Sequence, residues 1–222
     1  MRTAAVTLTD TTVGKKIIMA LSGVVLFGFS IVHMLGNMQI FVGREVINGY
    51  HVMLYGMPTL LWTARSVLLV ALVIHMASAL SLWSANRAAR PHAYRKTDLI
   101  ATSYAARTMV VGGMLLFLYL VHHIAHMTAG VTAGLGYAHD HVDVYANLVA
   151  SYRVPWMATL SVVAALVFGF HVYHGSWSML QTLGINHQRY NARLRSVAVA
   201  VAVVVTIGYV SVPVAVAARL VR

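Results

Sequence analysis

The chain has 222 residues, of which 59% are hydrophobic and 9% charged, with no cysteine and a formal net charge of +11. A water-soluble domain carries about 25% charged residues, so this chain lacks the polar surface to fold in water and belongs in a lipid bilayer. The missing cysteines exclude disulfides, an iron–sulfur cluster, thiolate ligands and covalently attached c-type haem. The positive charges lie between apolar runs rather than on one polar face, which speaks for membrane orientation and against nucleic acid.

Five apolar stretches reach the roughly 20 residues that a helical crossing needs. They run from Ile17 to Phe41, from about Leu60 to Asn86, from about Thr108 to Thr128, from Pro155 to Leu180 and from Val197 to about Val216. Pro155 suits the first turn of a helix, where its missing N–H costs nothing. The first run is too long for a cleaved leader, and the sixteen residues before it are polar. The predicted fold class is therefore an all-α integral membrane protein in one domain, with its longest outer loop from about Ala129 to Val154.

Lysine and arginine set the direction of insertion. Arg2, Lys15, Lys16, Arg87, Arg90, Arg95, Lys96, Arg107, Arg189, Arg193 and Arg195 fall on one side, and Arg44, Arg65, Arg153, Arg219 and Arg222 on the other. The richer side is the cytoplasmic one. This predicts a multi-pass protein of a bacterial cytoplasmic membrane, its N-terminus inside and its C-terminus outside.

Twelve residues are histidine. His33, His75, His122, His123, His126, His171 and His174 lie within the first four spans, and the fifth span has none. Ionisable groups at membrane depth are costly and face the bundle interior, where they find partners. Counted from the cytoplasmic ends at about 1.5 Å per residue, His33 and His123 lie about 24–26 Å in. His75 and His171 lie about 15–18 Å in on the same scale. Four helices thus offer two imidazoles at one depth and two at another, which suits axial ligation of two haem irons in a four-helix bundle built from the first four spans. Zinc prefers a compact tetrahedral cluster. Small residues near these histidines (Gly28, Gly36, Ala71, Ser78, Ala79, Gly112, Gly113, Gly169, Gly175) leave room for a flat ligand, although small residues also serve ordinary helix packing.

Several stretches together resemble one family. They are SGVVLFGFSIVHMLGN in the first span, with His33 and Asn37 as His-x-x-x-Asn, LFLYLVHHIAHMT in the third, HVDVY from His141 to Tyr145, and FHVYHGSWSMLQTLG from Phe170 to Gly184. The chain resembles the cytochrome b membrane-anchor subunit of succinate dehydrogenase (succinate:quinone oxidoreductase, respiratory complex II), in its single-chain, five-helix, dihaem class. The resemblance covers nearly the whole chain and implies two noncovalent b haems. It pairs His33 with His123 around the outer iron and His75 with His171 around the inner one, as the depth count does. An apolar residue precedes the ligand in the family pattern, so His123 is preferred to His122. His126 departs from the pattern and reads as a packing residue, with a hydrogen bond to a haem propionate or quinone as the other reading. His174 reads as a contact to a haem propionate or as support behind the ligands.

The resemblance also implies electron exchange with menaquinone or another quinone. Its implied partners are a flavoprotein that oxidises succinate and an iron–sulfur subunit docked on the basic loops Arg87 to Arg107 and Gln181 to Arg195, whose charges equally suit a role in membrane topology alone. Haem propionates need cations or hydrogen-bond donors. Arg65 is the candidate for the outer haem, and Arg107, Ser22 and Trp177 for the inner one, each of them equally suited to be an interfacial anchor. Candidate quinone contacts are Asn37, Gln39, Glu45 and His51. For Glu45 a solvated loop carboxylate paired with Arg44 is the competing reading, and for His139, Asp140, His141 and Asp143 a metal site competes with a plain loop. Alternative functions are the cytochrome b subunit of a hydrogenase or formate dehydrogenase, the fumarate-reducing direction of the same complex, or a transporter using histidines as a relay.

Overall fold

A computed structural model describes residues 7, 9–89, 104–132 and 134–222. Arg2, Arg90, Arg95 and Lys96, counted above for orientation, lie outside the described residues. Helix is the only regular structure among the described residues, and five helices are long and apolar enough to cross a membrane.

The first crossing helix, α1 (Thr12–Met38), starts where Thr11 Oγ1 accepts the Gly14 N–H at 3.0 Å. It runs on through a 3₁₀ turn, Gln39–Phe41. Gly43, at φ +142°, turns the chain in a conformation that side chains resist, and the short α2 (Arg44–Tyr55) follows. The second crossing is α3 (Pro58–Ala88), with Pro58 in its first turn. The third, α4 (Tyr104–His123), is prolonged by a π-helical turn at Ile124–Thr128. A second short helix, α5 (Val144–Tyr152), precedes α6 (Pro155–Thr182) and α7 (Asn191–Ala217). The helices thus extend a few residues past the apolar runs at several ends, because a helix continues into the interface that the hydropathy pattern excludes. The sequence predicts loop where the two short helices stand.

Packing is pairwise. α1 lies along α3, α4 along α6, and α6 along α7, with α1 also touching α6 and α7. A side chain on Gly169 would collide with Thr206 and one on Gly208 with Met34, so these two glycines set the close approach of α7 to α6 and α1. Gly169, a candidate for cofactor clearance, is thus a packing residue. A buried apolar core sits at the end of the bundle that carries the two short helices, where Ile40, Ile47, Leu148, Val149, Tyr152, Val212 and Val216 join α2 and α5 to the ends of the long helices. Along the spans, side chains such as Leu21, Phe29, Val32, Leu69 and Leu118 are exposed, as a lipid-facing surface requires.

Candidate functional site

Two histidine pairs occupy the bundle. The rings of His33 on α1 and His123 on α4 lie 5.8 Å apart between centres. Those of His75 on α3 and His171 on α6 lie 6.2 Å apart. Each pair joins helices that make no extended backbone packing among the described residues. The rings therefore bridge the diagonals of the bundle.

The heights of the pairs can be read along a single helix. His75 Nδ1 lies 3.0 Å from the Met19 carbonyl, and a side chain on Gly23 would meet the same ring at 3.3 Å. His33 stands 10 to 14 residues further along α1, which is about 15–21 Å at the α-helical rise. On α4, Gly113 lies against His171 and His123 follows ten residues later, about 15 Å. The separation exceeds the one counted from the basic residues. Those charges stand at unequal heights in helices that overrun the apolar stretches.

The inner pair has the chemistry of a ligand pair. A carbonyl only accepts, so His75 Nδ1 carries the hydrogen that bonds Met19 and its Nε2 is free to bind a metal. Ser22 donates to the Ile18 carbonyl at 2.8 Å and to the same Met19 carbonyl at 3.1 Å. It therefore touches the His75 anchor rather than reaching outward. His171 Nδ1 is buried with no hydrogen-bond partner, a cost that a bound group would relieve. Two metal–nitrogen bonds of about 2 Å, plus about 1 Å from each nitrogen to its ring centre, would set the centres about 6 Å apart, close to the spacing of both pairs. The inner residues fit an axially ligated haem iron. The outer pair fits in spacing, but His33 Nε2 accepts the Asn37 amide at 3.1 Å and must exchange that bond for a metal. Phe29 stacks on His33 at 5.5 Å, and Tyr119 lies beside His123 at 5.9 Å while its hydroxyl meets Ser161 at 3.1 Å.

The neighbours of His123 do other work. His126 is 2% exposed. Its Nδ1–H donates to the Val131 carbonyl at 3.1 Å, and the hydroxyls of Ser151 and Tyr137 share its accepting Nε2, each at 2.9 Å. This network closes the outer loop over the end of α4. His122 stacks parallel to His126 at 5.8 Å and faces Trp156. His174 is half-buried one turn beyond His171.

Arg65, Arg107 and Trp177 are engaged away from the four rings. Arg65 is held by Tyr55, whose hydroxyl accepts from it at 3.3 Å, and by the face of Trp62, the setting of an interfacial anchor. Arg107 is exposed over Tyr104. Trp177 lies beneath Arg195 in a cleft between α6 and α7. Asn37 faces His33, while Gln39 lies in the 3₁₀ turn and Glu45 is exposed in the first turn of α2. His51 donates to the His141 carbonyl at 3.0 Å.

Arg44 pairs with Asp143 and not with Glu45. The Arg44 guanidinium holds the Asp143 carboxyl down at about 2, with help from Asn48 and the Ala146 N–H. Asp143 also caps α5, and Asp140 accepts the Val142 and Asp143 N–H groups. These carboxylates are spent on the loop, and no group of three or more metal-binding side chains gathers among the described residues.

Two contributors escaped the sequence reading. Gly23 admits the His75 ring, and Lys15 reaches across to Ser81 on α3 at 2.9 Å. Gly23 follows Ser22 within the SGVV stretch, four residues after Met19, and this small pair was the available signal. Fold and site define a multi-pass helical membrane protein with paired histidines at two depths. Compared with known families, characterised proteins and solved structures, the chain matches none.

Proposed function

We propose that the chain is the dihaem cytochrome b anchor of a succinate:quinone oxidoreductase, passing electrons between an iron–sulfur subunit and a membrane quinone, menaquinone by resemblance. One observation carries the reading: two imidazole pairs, stacked along the bundle, each spanning a diagonal with the spacing that an iron would take. His75 and His171 would hold the inner haem, and His33 and His123 the outer one. With both axial positions filled, such a haem offers reversible one-electron transfer and no open site for oxygen.

The chain's own residues orient that chemistry. Met19 fixes the tautomer and direction of His75. Lys15, at Ser81 and six residues along α3 from His75, supplies an inner cation suited to a propionate. Asn37 stands beside His33 as a donor that either orients the ring or meets a quinone oxygen. The excess of basic residues at the N-terminal end supports a cytoplasmic location for that end in a bacterial cell, where the flavoprotein and iron–sulfur partners would dock.

The test is purification of the chain with its natural partners from membranes. Co-isolation of a flavoprotein and an iron–sulfur protein, with succinate-dependent reduction of a quinone, is the expected result. A nickel or molybdenum subunit in their place would transfer the anchor to a hydrogenase or formate dehydrogenase. Absence of any haem absorption would refute both.

A further inference from the structure

The inner ends of α6 and α7 splay around a cleft of about 650 Å³, lined by Trp177, Gln181, Asn186, Arg195, Ser196 and Val199 among others. Its size is that of a small-molecule site. The Arg195 guanidinium lies 5.0 Å over the Trp177 ring. Trp177, Gln181, Asn186 and Arg195 have no hydrogen-bond or ion-pair partner for their side-chain donors among the described residues. Past Asp143 the chain contains no Asp or Glu at all, so neither wall nor the connecting turn can neutralise Arg195.

A cation, an indole N–H and two amides thus converge on one polar mouth, and Val199 continues it onto the exposed apolar side of α7. The mouth lies at the end of two membrane-crossing helices, where headgroups are found. We infer that this cleft is a binding site for one anionic phospholipid, its phosphate held by Arg195 with the Trp177 N–H and the Gln181 and Asn186 amides, and an acyl chain lying along α7. Arg195 lies over the Trp177 ring at the cleft wall, and a guanidinium suits bidentate phosphate contact. An acidic protein surface would satisfy the charge but not the apolar continuation. The inference rests on the membrane fold alone and is independent of the haem reading.

The experiment is native mass spectrometry of the full-length chain in mild detergent, titrated with phosphatidylglycerol, phosphatidylcholine or inorganic phosphate. One phosphatidylglycerol should be retained in preference to phosphatidylcholine. Arg195→Gln should weaken retention by about tenfold or more, the worth of a charge-assisted hydrogen bond. Arg195→Lys should keep the preference at reduced affinity, and Arg189→Gln, on the exposed turn outside the cleft lining, should bind as the natural chain does. Equal retention of the two lipids, unchanged binding in Arg195→Gln, or displacement of the lipid by stoichiometric inorganic phosphate would overturn the assignment.

Discussion

Replacing Gly23 with valine tests the inner half of the site through a residue that is not itself a ligand but lies against one. A Cβ at position 23 would stand 3.3 Å from His75 Cε1 and 3.4 Å from its Nδ1. Alanine brings only that atom, and a shift of a few tenths of an ångström relieves it. Valine adds two methyls and is nearly confined to one helical rotamer, so the imidazole must turn and lose its bond to Met19. Overpacking costs about 1–3 kcal/mol and the lost hydrogen bond about 0.5–1.5 kcal/mol. Removing a glycine from a helix returns about 0.3–0.5 kcal/mol. The net is about 1–4 kcal/mol against the native His75 geometry. The assay is the reduced-minus-oxidised spectrum of purified protein, with a thermal melt beside it. Gly23→Val should lose the inner haem and keep the outer one, with Gly23→Ala between it and the natural chain. A Gly23→Val protein with both haems and an unchanged melt would refute the placement of His75 against α1.

His126→Leu removes a hydrogen-bond partner of the fully buried Ser151 hydroxyl and of the Tyr137 hydroxyl, at a cost of about 1–3 kcal/mol. A lower melting temperature with both haems retained is expected, and loss of the outer haem alone would make His126 a ligand. Asp143 titrates at about 2 in the fold, below its unfolded value of about 3.9. Its stabilising effect is therefore complete above about pH 4 and fades as the pH falls toward 2. Asp143→Asn keeps the α5 cap, as asparagine caps well, but cannot titrate. It should melt lower than the natural chain at pH 7, with the difference closing by pH 2; a difference independent of pH would contradict the ion-pair account. Asp140, held low by its two backbone donors, stays in both proteins and cancels in the comparison.

The crossing helices were legible because a bilayer demands long apolar runs, and Pro155 marked the start of α6 to the residue. The short helices were not. α5 depends on Asp143, whose carboxylate serves at once as cap, partner of Arg44 and partner of Asn48 on α2, and no local pattern announces the two remote partners. The geometric partnerships of His33 with His123 and His75 with His171 followed from depth, since two residues at one height in a narrow bundle have few alternatives. What depth could not convey was direction around each helix. Trp177 was a candidate for the inner site, yet it faces α7, and Arg107 faces outward. Gly169 and Gly28 look alike in sequence, but one abuts Thr206 and the other has nothing within 4 Å.

The central claim is tested most directly by a pyridine haemochrome count on the purified chain and on single leucine variants of its histidines. Two b haems per chain are expected, with one lost in each of His33→Leu, His75→Leu, His123→Leu and His171→Leu, and both kept in His122→Leu. A natural chain with no haem, or a His123→Leu protein that still holds two, would contradict the pairing on which the account stands.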